Sequence, residues 1–140
     1  MQTTKLPQLV QKVLAARRKL RINHALSKIT TKRDMKIIDI GCGIDGRSFE
    51  DLIPPQWEVI GVDVHSKEEI NHSNPNFTYV KGTATDLSQF DDNMFDFAIS
   101  IGMLEHITEE SMFKSVASEI RRVAKQYIVI VPYKYALIEP

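Results

Sequence analysis

Three glycines, Gly41, Gly43 and Gly46, follow a short apolar run and form the strongest chemical signal in the sequence. Residues 37–40 lead directly into Gly41, which predicts a buried strand that passes into a tight turn and then a helix. Glycine has no Cβ atom, so the backbone can approach a ligand closely, and a helix N-terminus favours polar or anionic groups. The arrangement is typical of a site for a nucleoside cofactor.

An acidic residue lies where such a site needs one. Asp63 stands 22 residues after Gly41, at the predicted end of the next strand, where a carboxylate can accept two hydrogen bonds from a ribose diol. Two further candidate segments, residues 83–86 and 101–106, also follow predicted strands. Because the carboxyl ends of parallel strands meet at one edge of a sheet, we expect these four segments to converge.

The elements that would position these residues alternate along the chain. Strands are predicted at residues 37–40, 57–64, 77–80, 95–101 and 127–131, and helices at 6–28, 47–52 and 108–124, with Thr108 as the N-cap of the last helix. This alternation predicts an α/β fold, a three-layer Rossmann-like sandwich with a mainly parallel sheet of about five strands and the N-terminal helix in front. We expect a basic helix and connector at residues 1–34 and a cofactor-binding domain at 35–140.

Charge is distributed unevenly. The first 36 residues hold ten Lys or Arg against the single acid Asp34, and the remainder holds eight against seventeen. A solvated helix face explains the basic segment better than nucleic acid binding does, because no aromatic residues interleave for base stacking. No apolar run has the length of a membrane span, and the four histidines and one cysteine lack the spacing of a metal site. We expect a cytoplasmic location.

The segment around the first glycines resembles a known family. Ile38-Asp39-Ile40-Gly41-Cys42-Gly43 is similar to the first motif of class I S-adenosylmethionine-dependent methyltransferases. Residues 58–65, 79–107 and 119–132 resemble later parts of the same family, and Leu104-Glu105-His106 is the most specific of these, closest to the members that act on small molecules. The resemblance spans residues 35–132.

The resemblance implies a set of cofactor contacts. Asp39 would help to hold the amino group of the methionine end, the first glycines would face that end, Asp63 would bind the ribose, and a loop from residue 82 would contact adenine. The implied cofactor-binding residues are Asp39, Gly41, Cys42, Gly43, Gly46, Asp63, Val64, Thr83, Ala84, Ile101 and Gly102. His106 and Glu105 are the candidates for a catalytic base, which is needed only if the acceptor must lose a proton.

The sequence also departs from the family. Asp45 stands where glycine is common, and Thr83 replaces the usual acid of the adenine loop, which predicts a weaker contact with the adenine amine. Family members normally continue into a further strand hairpin, whereas this sequence ends at Pro140. The fifth strand would then be an apolar sheet edge. Either the Tyr133–Pro140 tail covers this edge or the edge pairs with another chain, and we expect pairing, in a homodimer or with a partner subunit.

Three functions are compatible with these features. The favoured one is an S-adenosylmethionine-dependent methyltransferase with a small-molecule acceptor. The first alternative is a non-catalytic cofactor-binding domain, or a shortened relative, that works with a partner. The second is a nicotinamide-dependent oxidoreductase, which Asp39 and the Leu104-Glu105-His106 segment disfavour.

Overall fold

A computed structural model describes residues 7–44, 54–71 and 75–131 of the chain. Gly46, Asp45 and the helix predicted at 47–52 lie outside these residues. The chain separates into two compact units, one that contains the N-terminal helix and one that spans Thr31–Val131. Within the described residues, no helix is long and apolar enough to cross a membrane.

Helix α1 occupies Gln8–Leu26 in the first unit. Pro7 precedes it at the N-cap position, where its fixed φ and missing N–H cost nothing. Its sequence contains no Asp or Glu, and Leu9, Val13 and Leu20 are exposed. The predicted helix at 6–28 is therefore confirmed in its main part, whereas the predicted domain division at residue 34 and a position in front of the sheet stay predictions.

The second unit is built on a five-stranded, wholly parallel sheet. Its strands are β1 (Lys36–Ile40), β2 (Glu58–Asp63), β3 (Phe77–Lys81), β4 (Phe97–Ile101) and β5 (Tyr127–Ile130), in the spatial order β3-β2-β1-β4-β5. This order reverses direction beside β1, and ligands of open α/β sheets bind at such a point. The predicted α/β, Rossmann-like fold is confirmed.

The central strands are buried on both faces, as expected for strands that are covered on both sides. Helix α2 (Glu110–Val123) contributes Val116, Ile120 and Val123 to a core that also holds alternate residues of the central strands. The strand residues in this core are Ile38, Ile40, Ile60, Val62 and Ala98. The opposite face of the same strands therefore carries Asp39, Gly61 and Asp63, since successive side chains point to opposite faces.

The start of α2 differs from the prediction. The helix begins at Glu110 with Glu109 as its N-cap, and no side chain caps it, so the assignment of Thr108 as N-cap is wrong. A 3-10 turn at Leu104–His106 comes first, and Ile107 and Glu109 stay extended after it. The N-cap therefore lies one residue later than the pattern of hydroxyl and acidic residues indicates.

A buried acid holds the amino ends of the strands together. Asp96 accepts hydrogen bonds from Lys32 Nζ at 2.5 Å, from the backbone N–H of Lys36 at 3.1 Å and from Lys125 Nζ at 3.4 Å. The Lys32 ammonium lowers the pKa of Asp96 most strongly, with smaller contributions from Lys36 and Lys125, against the opposing effect of burial. This network lies at the edge of the sheet opposite the glycine turn.

Candidate functional site at the carboxyl edge of the sheet

The turn after β1 is tied to the end of β2 by its own backbone. The N–H groups of Gly41 and Cys42 both donate to the Val62 carbonyl oxygen, at 2.8 and 3.3 Å. Cys42 is buried, and its Sγ lies 3.5 Å from the Gly43 carbonyl oxygen. These contacts place the turn directly beside Asp63.

Asp63 joins the two strands through its carboxylate. Oδ2 accepts the Gly43 N–H at 2.9 Å, and Oδ1 accepts the Val64 N–H at 2.7 Å. His65 Nε2 lies 3.6 Å from Oδ1. A carboxylate has about four acceptor positions in all, so the two backbone N–H groups fix its orientation and leave capacity for hydroxyl donors such as those of a ribose.

The first two glycines of the turn have different neighbours. Both have positive φ, +75° at Gly41 and +71° at Gly43, which favours glycine. A Cβ on Gly41 would lie 2.5 Å from Met103 Cγ, whereas a Cβ on Gly43 would meet no atom of the described residues within 4 Å. Gly41 therefore makes room for a side chain of this protein, and Gly43 is the glycine that borders open space.

Tyr79 fixes the chain on the far side of Asp63. Its hydroxyl lies 2.8 Å from the Asp63 carbonyl oxygen and 2.6 Å from that of His65, and it can donate to either. Burial, with the Asp63 charge adding to it, raises the pKa of Tyr79 to about 12, so the hydroxyl remains a neutral donor at physiological pH. Beyond it, Glu69 accepts both the N–H and the hydroxyl of Ser66, and these bonds lower the pKa of Glu69.

The loop after β3 begins at the same place. The Gly82 N–H donates to the Asp63 carbonyl oxygen at 2.9 Å, and Thr83 pairs with Asp86 across a tight turn. Thr83 is exposed, Ala84 is half-buried, and the two hydroxyls of Thr83 and Thr85 lie 2.9 Å apart. The loop predicted to contact adenine thus adjoins Asp63, the residue predicted to bind the ribose.

The segment after β4 completes this edge. Ile101 and Gly102 are half-buried, and Gly102 has φ +69°. The Glu105 carboxylate lies beside Gly102, 3.5 Å from the position of a Cβ there, whereas the His106 side chain is 81% exposed. His106 Nε2 lies 4.0 Å from Glu105 Oε1. Because its carboxylate lies beside Gly102, Glu105 is the nearer of the two candidate bases to this edge.

Two of the predicted site residues, Asp39 and Val64, lie at opposite extremes of solvent exposure. Asp39 is completely buried within β1, so its carboxylate offers no surface to a ligand, and its role at the amino group stays a prediction. Val64 is exposed and contributes its N–H to Asp63. Within the described ranges, no group of three or more His, Cys, Asp or Glu could hold a metal ion.

Sequence reasoning missed Tyr79 and Met103, although both shape the site. Tyr79 lies opposite Gly61 in the register of β2 and β3, and an aromatic residue near a strand glycine could have indicated close packing. Met103 carries no comparable signal, because its contact with Gly41 depends on the path of the chain after β4.

An open parallel sheet, a glycine turn at the strand-order reversal and an acid at the next strand end define a Rossmann-like domain for a nucleoside cofactor. Residues 38–130 match the family model described as "Methyltransferase domain". The chain belongs to this family, whose cofactor is S-adenosylmethionine, and the oxidoreductase alternative is wrong. No protein of curated function matches the sequence significantly.

Solved structures share the fold. A SAM-dependent methyltransferase from Methanosarcina mazei is 25% identical, with a TM-score of 0.55 over 68% of this chain and 50% of that one. A methyltransferase in complex with the Haloferax volcanii Trm112 methyltransferase activator is 21% identical, with a TM-score of 0.65 over 90% and 57%. A SAM-dependent methyltransferase from Aquifex aeolicus is 20% identical, with a TM-score of 0.61 over 97% and 80%. The chain spans about half the length of the first two.

Proposed function

We propose that this domain binds S-adenosylmethionine at the carboxyl edge of the sheet and transfers its methyl group to a small molecule. The observation that carries the proposal is the Asp63 carboxylate, held by the Gly43 N–H at 2.9 Å beside open space at Gly43. An acid that is oriented by backbone donors, yet keeps acceptor capacity, suits a ribose diol. The open volume at Gly43 suits the methionine end.

The protein's part in the reaction is mainly positional. The bound sulfonium supplies an activated methyl group, so alignment with the acceptor and exclusion of water account for most of the rate. Ile101 and Gly102 would line the region near the sulfur. Their half-buried positions after β4 support this role.

Glu105 is better placed than His106 to act as a general base toward the methyl acceptor. Its carboxylate lies beside Gly102, while His106 extends into solvent. For an acceptor that loses a proton, Glu105→Gln should lower kcat roughly 100-fold, within the range of general base catalysis. His106→Gln, the matched control on the next residue, should change kcat less than about threefold. A larger loss in the His106 variant would reverse the assignment.

Titration calorimetry tests the binding step without knowledge of the acceptor. The demethylated cofactor, S-adenosylhomocysteine, should bind to the purified protein with a Kd in the micromolar range, which corresponds to about −8 kcal/mol. NADH should give no heat at the same concentrations and serves as the control for a general nucleotide site. Absence of binding for S-adenosylhomocysteine would contradict the proposal.

A partner-dependent activity is the second candidate, and strand β5 favours it. Among the described residues, β5 is the last strand of the sheet, and Tyr127 and Val129 are exposed on the side that faces α2. An apolar strand of this kind can pair with another chain. We infer self-association through β5, which sedimentation should detect as a dimer. Val129→Lys should shift the equilibrium to monomer, and a wild-type monomer at all concentrations would contradict it.

A further inference from the structure

Two charged residues of α2, Glu119 and Arg122, bind the irregular segment between β3 and β4. We call this pair the α2 clamp. Glu119 Oε2 accepts the Leu87 N–H at 2.6 Å, and Arg122 Nη2 donates to the Leu87 carbonyl oxygen at 2.9 Å. Arg122 Nη1 donates to the Phe90 carbonyl oxygen at 2.8 Å and to the Asp92 carboxylate at 2.9 Å.

The two members of the clamp also fix each other. Arg122 Nε and Nη2 donate to the two carboxylate oxygens of Glu119, at 2.8 and 2.9 Å. This bidentate geometry is available to a guanidinium and not to an ammonium. The hydrogen bonds from Arg122 lower the pKa of Glu119 and in turn raise that of Arg122. Both groups therefore stay charged at neutral pH.

The segment that they hold is the continuation of the predicted adenine loop. Residues 82–93 contain no strand or helix, so short backbone turns and the contacts with α2 determine their path. At one end the Gly82 N–H is bound to the carbonyl oxygen of Asp63, and at the other both backbone groups of Leu87 are bound by the clamp. Between these two anchors lie Thr83 and Ala84.

We propose that Glu119 and Arg122 are positioning residues for the cofactor. They set the distance and orientation of the Thr83–Asp86 turn relative to the adenine base. This inference rests on the proposed function. It assigns to α2 control over the recognition of the nucleobase. If Glu119 and Arg122 only attached the helix to the loop, their loss would affect folding stability but not the selectivity for the nucleobase.

Selectivity for the base separates these two roles. Calorimetry would give the Kd of S-adenosylhomocysteine and of S-inosylhomocysteine, in which an oxo group replaces the adenine amine. In the wild type we expect S-adenosylhomocysteine to bind roughly tenfold more tightly than S-inosylhomocysteine, which corresponds to one hydrogen bond to the adenine amine. Arg122→Lys keeps the positive charge but loses the bidentate geometry of the guanidinium. The ratio of the two Kd values should therefore fall toward one.

Matched variants complete the experiment. Lys114→Gln removes an exposed ion pair with Glu110 on the same helix and should leave the ratio unchanged. Thr83→Val should lower the ratio by itself, and combining it with Arg122→Lys should produce no further loss, since both act on one contact. If Arg122→Lys does not fold, Glu119→Gln, which retains an acceptor for Leu87, should lower the ratio partially.

The outcomes distinguish the inference from the function on which it rests. Wild-type protein that binds neither nucleoside would overturn both. Wild-type selectivity that survives in Arg122→Lys and Glu119→Gln, with only the melting temperature reduced, would overturn the positioning role and leave cofactor binding intact. Loss of selectivity confined to the clamp and Thr83 variants would support the inference.

Discussion

Asp63 at the carboxyl edge of the sheet and Asp96 at the amino edge are nearly equally buried, but these two aspartates have different hydrogen-bond partners. The side chains of Asp63 and Asp96 are 13% and 12% exposed, and each accepts a backbone N–H. Asp96 also binds the ammonium groups of Lys32 and Lys125. Among the described residues, no lysine or arginine forms an ion pair with Asp63.

The difference separates a structural acid, Asp96, from Asp63, the acid that we propose for ligand binding. Asp96 accepts hydrogen bonds from two ammonium groups and a backbone N–H, and these bonds contribute to the stability of the fold. Asp63 is oriented by backbone donors and retains capacity for a ligand. Burial and residue type alone would not distinguish the two residues. The identity of the partners does.

Within the glycine turn, a comparison of Gly41 with Gly43 predicts the largest effect of a single substitution on the free energy of unfolding. Gly41→Ala combines a left-handed backbone with an overlap at Met103, and it should lower the free energy of unfolding by about 2–4 kcal/mol. Gly43→Ala has the backbone cost alone, about 1–2 kcal/mol. Urea denaturation would measure both values.

Cofactor affinity should respond differently to these two changes. Gly43→Ala places a methyl group in the open volume beside Asp63, and we expect the affinity for S-adenosylhomocysteine to fall by at least tenfold, or about 1.4 kcal/mol. Unchanged affinity in Gly43→Ala would show that the ligand does not approach this glycine. Calorimetry on the folded variant is sufficient.

The amino edge should be sensitive to acid. Because the Lys32 ammonium holds the pKa of Asp96 below its ordinary value of 3.8, the stabilisation is complete above that value and is lost as pH falls through the lower folded pKa. Asp96→Asn should lower stability by about 2 kcal/mol at pH 7 and by much less in strong acid. Denaturation at a series of pH values would test this, and a pH-independent effect would contradict it.

The carboxyl edge should respond to alkali instead. The pKa of Tyr79 is raised to about 12, so its contribution is complete below the ordinary value of 10 and is lost as pH rises through 12. Tyr79→Phe should cost about 1 kcal/mol at neutral pH, where the hydroxyl binds the carbonyl oxygens after β2. Ultraviolet titration should show a tyrosine that ionises near pH 12, and its loss in Tyr79→Phe would identify it.

Much of the fold was predictable because the strands have strong local signals. The apolar runs of β1, β2 and β4 and the spacing of Val116, Ile120 and Val123 determine where each element packs. The parallel topology then brings Gly43, Asp63 and the Thr83 loop to one edge, as predicted from strand ends alone.

What could not be predicted depends on contacts between distant segments. The packing of Met103 over Gly41 and the clamp of Glu119 and Arg122 on Leu87 join residues far apart in sequence. The N-cap of α2 also differs, because the preceding 3-10 turn, and not Thr108, sets where the helix begins. Local residue types cannot report these geometries.

The most direct test compares the two aspartates in one titration experiment. S-adenosylhomocysteine is titrated into the wild type, Asp63→Asn and Asp96→Asn under conditions in which all three are folded. We predict that Asp63→Asn weakens binding roughly 100-fold, about 2.7 kcal/mol, while Asp96→Asn stays within about twofold of the wild type. Equal affinities in the two variants, or a larger loss in Asp96→Asn, would contradict the assignment of Asp63 to the cofactor.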